Sequence, residues 1–237
     1  MFYYGYDITY IVLVLPFVFL SLWASHNVNS TFKRYSAQFS SRGITAAQAA
    51  QRVLSANGVR NVTVEHISGS LTDHYDPRSN VIRLSDSVYS STSTAAIGVA
   101  CHEAGHALQY ARGYFPIKIR AAIIPITNIG SRMAMPLILL GILFSFSGQF
   151  SQLMVDLGIA CFGLSLLFQL ITLPVEFDAS HRAMVCIGES GLLTEQEQKG
   201  ARKTLQAAAR TYVAATAVAF MQLLRLILLF GRHNDDN

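Results

Sequence analysis

The chain is poor in charged residues and in cysteine. Asp, Glu, Lys and Arg make up 14% of its 237 residues, and apolar residues make up 51%, whereas a water-soluble domain carries about 25% charged residues. Part of the surface is therefore expected to face lipid, and a disordered or collagen-like chain is excluded. The 3 cysteines show no short ligand spacing, which excludes a disulfide scaffold and predicts free thiols in a reducing compartment.

The N-terminus lacks the lysine or arginine that a cleaved signal peptide carries ahead of its apolar segment. We therefore expect a retained N-terminal membrane anchor. The net charge is +4 and the isoelectric point is about 9.1, but the basic residues flank apolar segments. They are interpreted as determinants of membrane orientation, and no nucleic-acid partner is predicted.

Four apolar segments approach the roughly 20 residues that a bilayer-spanning helix needs, namely residues 8–24, 133–149, 153–174 and 211–230. The second and third are predicted to form an antiparallel helical hairpin, because only 3 residues join them. A shorter apolar stretch, residues 121–130, contains Pro125 and is interpreted as an interfacial or re-entrant approach to the second span.

The distribution of lysine and arginine predicts the orientation. Eleven lie between the first and second spans and five between the third and fourth, and the positive-inside rule places both groups in the cytosol and both termini outside. The predicted fold is a mainly α-helical integral membrane protein with a small α+β cytosolic part. Its segments are an anchor (1–24), a cytosolic segment (25–132), a transmembrane hairpin (133–174), a second cytosolic segment (175–210), and a C-terminal span and tail (211–237).

The first cytosolic segment has the patterns of a folded unit. Thr45 and Gln48 form a capping-box pattern at the start of a helix over 47–56. Alternating apolar residues predict strands at 62–67 and 81–84, with a turn-rich stretch at 69–77 between them. A further helix is expected from 95 to 111.

That last helix contains His102-Glu103-Ala104-Gly105-His106. Residues four apart lie on one helix face, so both imidazoles can reach one metal ion, with Glu103 bordering the open coordination position. Neutral imidazoles suit Zn²⁺, and a carboxylate beside a zinc-bound water can take its proton. The motif is typical of zinc hydrolases and predicts one zinc ion per chain, while Gly105 allows another element to approach closely.

A catalytic zinc takes three protein ligands, so a third is expected from the same side of the membrane. Glu176 stands out because it directly follows the third span, where Pro174 can kink the helix toward the site. Asp178 would face away from Glu176 on a helix. The other candidates are several carboxylates and the histidines His26, His66, His74 and His181.

Four stretches together resemble a known family: LTDHYDP (71–77), VIRLS (81–85), ACHEAGHALQ (100–109) and LPVEFDAS (173–180). They are similar to the bacterial membrane-bound neutral zinc metallopeptidases of the YugP-like family, over nearly the whole chain. The resemblance implies a gluzincin-like core in the bacterial inner (plasma) membrane. It also implies that His102, His106 and Glu176 bind zinc and that Glu103 is the catalytic base.

A more distant similarity is to the HtpX-type membrane peptidases, whose third-ligand motif reads E-F/Y-x-A-D. The chain fits this pattern except at Ser180, which stands where the aspartate is expected. In that family the aspartate steadies a zinc-binding histidine, and such outer partners are worth about 10–100-fold in metal affinity or activity. Asp178, Ser180 and Asn128 are the candidates for this role here.

The predicted reaction is hydrolysis of protein or peptide substrates at the cytosolic membrane face, in membrane-protein quality control. Glu103 takes a proton from zinc-activated water and passes it to the leaving amine, while His181 or His74 donates to the oxyanion. The strand at 81–84 is expected to be an edge strand that holds an extended substrate, as in the peptidases it resembles.

The alternative function is a catalytically inactive zinc-binding scaffold or chaperone subunit in the membrane. An intact Glu103 disfavours it, because a structural zinc has no use for a general base. A transporter is disfavoured, because the ionisable residues inside the predicted spans, Asp156 and Arg225, lie near the span ends. The sequence leaves the oligomeric state and the cleavage preference open.

Overall fold

The computed structural model describes residues 8–230, apart from the side chain of Ser147. A π-helical turn, Tyr10–Val14, leads into α1, and a 3₁₀ turn, Ser145–Ser147, connects α4 to α5. The helices and strands are α1 Leu15–Ser36, α2 Ala46–Ala56, β1 Thr63–Ile67, β2 His74–Asp76, β3 Val81–Ser85, α3 Thr94–Ala111, α4 Phe115–Leu143, α5 Gln149–Glu189 and α6 Glu195–Phe230.

The described chain divides into two compact units. The helical unit comprises the described parts of Met1–Trp23, Ile119–Thr172 and Tyr212–Asn237, and the mixed unit comprises Ala24–Lys118 and Leu173–Thr211. All three strands belong to the mixed unit.

Four helices of the described chain are long and apolar enough to cross a membrane. They are Tyr10–Ser36, Phe115–Leu143, Gln149–Glu189 and Glu195–Phe230, and each overlaps one of the predicted spans. Residues 121–130, interpreted as an interfacial or re-entrant approach to the second span, lie inside α4 together with Pro125 and Pro136. The re-entrant alternative is wrong, because the helix is continuous through this stretch. Proline removes one helical hydrogen bond, a loss that apolar membrane-type helices tolerate.

Small residues bring α4 and α5 together in the helical unit. A Cβ built on Gly158 would lie 2.9 Å from the backbone oxygen of Ala134, and one built on Gly141 would lie 2.9 Å from that of Ser151. Later residues of α4 thus meet earlier residues of α5, so the two helices are antiparallel neighbours as predicted. The predicted connection at 150–152 is wrong, because α4 ends at Leu143 and α5 begins at Gln149. Close approach through small residues is how helices associate where no hydrophobic effect draws them together.

The sheet of the mixed unit has the strand order β1-β3-β2, with β1 parallel and β2 antiparallel to β3. Strand β3 is therefore central, and its Ile82 and Leu84 are fully buried. The expectation that residues 81–84 form an edge strand is wrong, because β2 pairs with β3 and occupies the edge. A strand of three residues is too short to show the alternation from which strands are predicted.

Helices α2 and α3 pack together against the sheet. The predicted capping box of α2 is confirmed, since the Thr45 side chain accepts a bond from the backbone of Gln48 and the Gln48 side chain accepts one from the backbone of Thr45. The core that fixes α3 in place includes Val53, Leu54, Ile82, Leu84, Ile97, Leu108 and Ile187.

Candidate metal centre

Two helices of the mixed unit bring three metal-binding side chains together. His102 and His106 lie one turn apart on α3, and Glu176 lies on α5. Glu176 Oε2 is 3.3 Å from His102 Nε2 and 3.6 Å from His106 Nε2. Glu176 is only 2% exposed, so its carboxylate is buried against the two imidazoles.

The donor set fits a zinc ion. Bonds of 2.0–2.2 Å at tetrahedral angles separate neighbouring ligand atoms by about 3.3–3.6 Å, and the carboxylate–imidazole distances here are 3.3 and 3.6 Å. Two imidazoles and one carboxylate are also the ligands of zinc sites that keep one position for water. Among the described residues the metal-ligating group has these three members, His102, His106 and Glu176.

Gly105 lets α3 approach α5 closely enough to form this group. A Cβ built on Gly105 would lie 2.5 Å from the backbone oxygen of Ala179 in α5, which is closer than van der Waals contact permits. The glycine between the histidines is therefore required for packing, because the backbone of α5 occupies the space of a side chain. The predicted close approach at Gly105 is confirmed.

A buried glutamine sets the tautomer of His106. Gln109 Nε2 donates to the backbone oxygen of Val175 and to Asp178 Oδ2, both at 2.8 Å, so its Oε1 is the atom that faces His106 Nδ1 at 3.0 Å. An amide oxygen only accepts hydrogen bonds, so Nδ1 of His106 carries the proton. The lone pair of Nε2 then points toward Glu176, as metal binding requires.

Asp178 continues this chain of contacts to the surface of the mixed unit. Its Oδ2 accepts a bond of 2.6 Å from Arg182 Nε, and the Arg182 guanidinium lies over the Tyr114 ring, 5.6 Å from its centroid. The positive charge of Arg182 offsets the carboxylate that holds Gln109. Asp178 thus supports His106 through Gln109 and not by direct contact.

Ser180 contacts the other histidine directly. Its hydroxyl oxygen is 3.1 Å from His102 Nδ1. Ser180 stands at the position where the HtpX-type peptidases have an aspartate. A serine thus takes over the orienting contact without adding a negative charge. Asn128, the third candidate, belongs to α4 in the helical unit.

Glu103 lies beside the cluster and is 8% exposed. Its charge reaches Asp73, the residue just before β2. Burial, and after it the charge of Glu103, raises the pKa of Asp73, although hydrogen bonds from Ser85 lower it. One of those bonds, from Ser85 N to Asp73 Oδ1, is 2.8 Å long and ties the start of β2 to the end of β3.

The electrostatics of the cluster favour a cation. Burial lowers the pKa of His106, but the neighbouring Glu176 carboxylate and the charge of Glu103 outweigh burial and raise it. Two carboxylates around two imidazoles therefore create a negative potential at the point where the ligand atoms converge.

The two predicted oxyanion donors lie outside this group of three. His74 is exposed on the edge strand β2, and its Nδ1 donates to the backbone oxygen of Thr72 at 2.9 Å. His181 is exposed on α5, one residue after Ser180. Of the other candidate ligands, His66 contacts Asp86, with 2.6 Å between His66 Nε2 and Asp86 Oδ1. His26 lies on α1.

Gln109 and Arg182 belong to the site but were not predicted from the sequence. Gln109 is three residues after His106, and Arg182 is four residues after Asp178. These are the spacings at which helical side chains meet, so the signal was present in the sequence. We call His102, His106 and Gln109 the metal-binding face of α3.

The chain belongs to a family of zinc metallopeptidases. Residues 10–231 match the family described as "Putative neutral zinc metallopeptidase". The match covers nearly the whole chain and includes both helices that form the cluster.

Among curated proteins, the chain is similar to the "Putative membrane protease YugP" of Bacillus subtilis (strain 168). The two are 44% identical over 228 residues, which cover 96% of this chain and 99% of the relative. The resemblance predicted from four sequence stretches is thereby confirmed. No solved structure matches the chain.

Proposed function

We propose that the protein is a zinc-dependent endopeptidase of the membrane with a gluzincin-type site. The observation that carries this proposal is the cluster of His102, His106 and Glu176, whose ligand atoms are spaced as around one zinc ion. A structural zinc site closes all four positions with protein ligands. Three protein ligands with Glu103 beside them suit catalysis instead.

The chain's own residues divide the work of hydrolysis. One zinc ion per chain, held by His102, His106 and Glu176, would polarise the scissile carbonyl and make water acidic enough to react near pH 7. Glu103 takes the proton of the attacking water and delivers it to the leaving amine. His74 or His181 donates a hydrogen bond to the oxyanion.

We assign to β2 the substrate-holding role that the sequence predicted for residues 81–84. A substrate in extended form can add to a sheet only at a free edge, and β2 is an edge strand of the described sheet whereas β3 is its centre. Helix α3, which carries Glu103, packs against β2. A peptide lying along β2 would therefore pass the catalytic base.

We place the site at the cytosolic face of the bacterial inner membrane, with both termini outside and a role in membrane-protein quality control. The excess of Lys and Arg in the two segments that form the mixed unit supports this orientation. A cysteine introduced at the exposed Ser70, in a chain without native cysteines, should react with a membrane-impermeant maleimide only after the cells are opened. Labelling in intact cells would contradict the orientation.

The proposed activity is tested first by zinc content in mild detergent. We expect about one zinc ion per wild-type chain and a large loss in Glu176→Ala, with Glu189→Ala as the matched control at an exposed position of the same helix. Retention of zinc by Glu176→Ala would show that the third ligand is another residue.

Activity is then measured with a loosely folded protein such as casein. Glu103→Gln should keep its zinc but lose cleavage by at least about 100-fold, because a general base contributes about 10²–10⁴-fold. Zinc-loaded wild-type protein that leaves casein intact would instead support the inactive scaffold.

A further inference from the structure

A cavity of about 250 Å³ lies between the edge strand and α3 in the mixed unit. Ala107, Tyr110 and Ala111 of α3 form one wall, and Tyr75 of β2 forms another. Asn61 and Asn80 contribute polar atoms, and the rest of the lining consists of valine and proline. None of the lining residues is charged.

The cavity lies on the same face of α3 as Glu103. Ala107 and Tyr110 follow Glu103 by four and seven residues, so helical periodicity stacks them in one row, which we call the substrate face. At about 1.5 Å rise per residue they lie about 6 and 10 Å from Glu103 along the helix axis. An extended peptide advances about 3.4 Å per residue, so this span is two or three peptide residues.

The walls suit a bulky apolar side chain. The Tyr75 and Tyr110 rings are 5.7 Å apart and tilted by 60°, and the Tyr75 hydroxyl donates to Asn80 Oδ1 at 3.0 Å, which directs its polar end away from the rings. An apolar cavity of about 150 Å³ holds benzene. A volume near 250 Å³ accommodates the side chain of Leu, Met or Phe.

We propose that this cavity is a specificity subsite, which selects a bulky apolar substrate residue two or three positions from the scissile bond. The inference rests on the proposed peptidase function and names the substrate class that the site prefers. Its occupant is a side chain of the peptide that lies along β2, because the cavity continues the row of residues that begins at Glu103.

The test is to map, by mass spectrometry, the casein cleavage sites of the zinc-loaded wild type and three zinc-loaded variants. Wild type should show enrichment of Leu, Met and Phe at one position near the cleaved bond. Ala111→Trp fills the cavity and should reduce that enrichment about 10-fold or more. Asn61→Asp adds a charge at the wall and should introduce Lys and Arg at the same position. Gln51→Trp, on the exposed side of α2, is the control.

An unchanged position preference in both cavity variants would overturn the subsite and leave the peptidase function standing. If Ala111→Trp does not fold, as judged by zinc content and unfolding midpoint, the cleavage preference of Asn61→Asp tests the subsite alone.

If the wild type does not cleave casein, peptide binding tests the subsite instead. A labelled casein peptide that carries Leu at the selected position should bind the Glu103→Gln variant more tightly than the same peptide with Asp at that position. In the double variant Glu103→Gln, Ala111→Trp the two peptides should bind equally. Equal binding of both peptides by Glu103→Gln itself would overturn the subsite.

Discussion

Helix α3 presents two faces that are constructed differently. On the metal-binding face, Nδ1 of each imidazole has a defined side-chain partner, and a backbone contact at Gly105 holds α5 close. On the substrate face, the neighbouring strand has only three residues, and a cavity remains between strand and helix. Both faces belong to the same helix and the same unit.

The two faces meet different physical requirements. A metal centre requires ligand atoms within a few tenths of an ångström, and buried hydrogen bonds achieve this because leaving them unmade is costly. A surface that accepts many peptides needs an open edge and an apolar cavity instead. Substitutions on the two faces should therefore have separable effects on zinc binding and on substrate choice.

Among substitutions that leave the three ligands in place, Gly105→Ala is expected to have the largest effect on zinc binding. The added Cβ would lie 2.5 Å from the backbone of Ala179, so α3 and α5 must separate and their ligand atoms with them. Because all three ligand atoms are affected, zinc affinity, measured in competition with a chelator, should fall by at least the factor of about 10–100 that the loss of one supporting contact costs. Gly163→Ala is the control, because nothing lies within 4 Å of a Cβ built there. Equal zinc affinities would contradict the packing argument.

Gln109→Leu should have the next largest effect. The substitution keeps the volume near that of Gln109 but removes the acceptor that holds the proton on Nδ1 of His106, and zinc affinity should fall by about 10–100-fold. The substitution also removes the hydrogen bond from Gln109 to Asp178, whose bond from Arg182 remains. Isothermal titration with zinc measures the change, and Gln51→Leu on the exposed side of α2 should leave the affinity unaltered.

A smaller effect is expected at Ser180, and it compares the supports of the two histidines. Ser180→Ala removes one neutral hydrogen bond of His102, worth about 0.5–1.5 kcal/mol, so zinc affinity should fall less than about 15-fold. Ser180→Asp should raise the affinity above that of Ser180→Ala, because a carboxylate makes the histidine a stronger ligand. A greater loss of zinc affinity in Ser180→Ala than in Gln109→Leu would contradict this prediction, because it would make Ser180 the stronger support.

The smallest effect is expected on the stability of the edge strand β2, and zinc affinity should not change. Bonds from Ser79, the backbone of Arg78 and Arg83 hold the pKa of Asp76 below its ordinary 3.8, so its carboxylate stabilises the fold above that pH. This stabilisation declines as pH falls below 3.8. Asp76→Asn should lower the unfolding midpoint of the zinc-free protein by at most about 4 °C at pH 7. The difference from wild type should shrink at pH 3, and a difference that grows on acidification would contradict this assignment.

Much of the fold was predictable from local patterns. Apolar runs predicted the four long helices, and the capping box and helical spacing predicted α2 and α3 to within a residue or two. The spacing of His102, Glu103 and His106 follows from the helical period, and the position of Glu176 after an apolar run singled it out as the third partner. Patterns of this kind are read from neighbouring residues, because helical periodicity acts over a few positions.

Local sequence patterns are thus sufficient to predict the long helices and the side chains that could meet a metal ion. They do not predict that Ser180 contacts His102, across 78 positions, or that Gln109 contacts Asp178, across 69. Nor do they predict that β3 is central and β2 is the edge. Contacts between distant residues depend on how elements pack, in this protein on a glycine that admits a neighbouring backbone, and no local period encodes that packing.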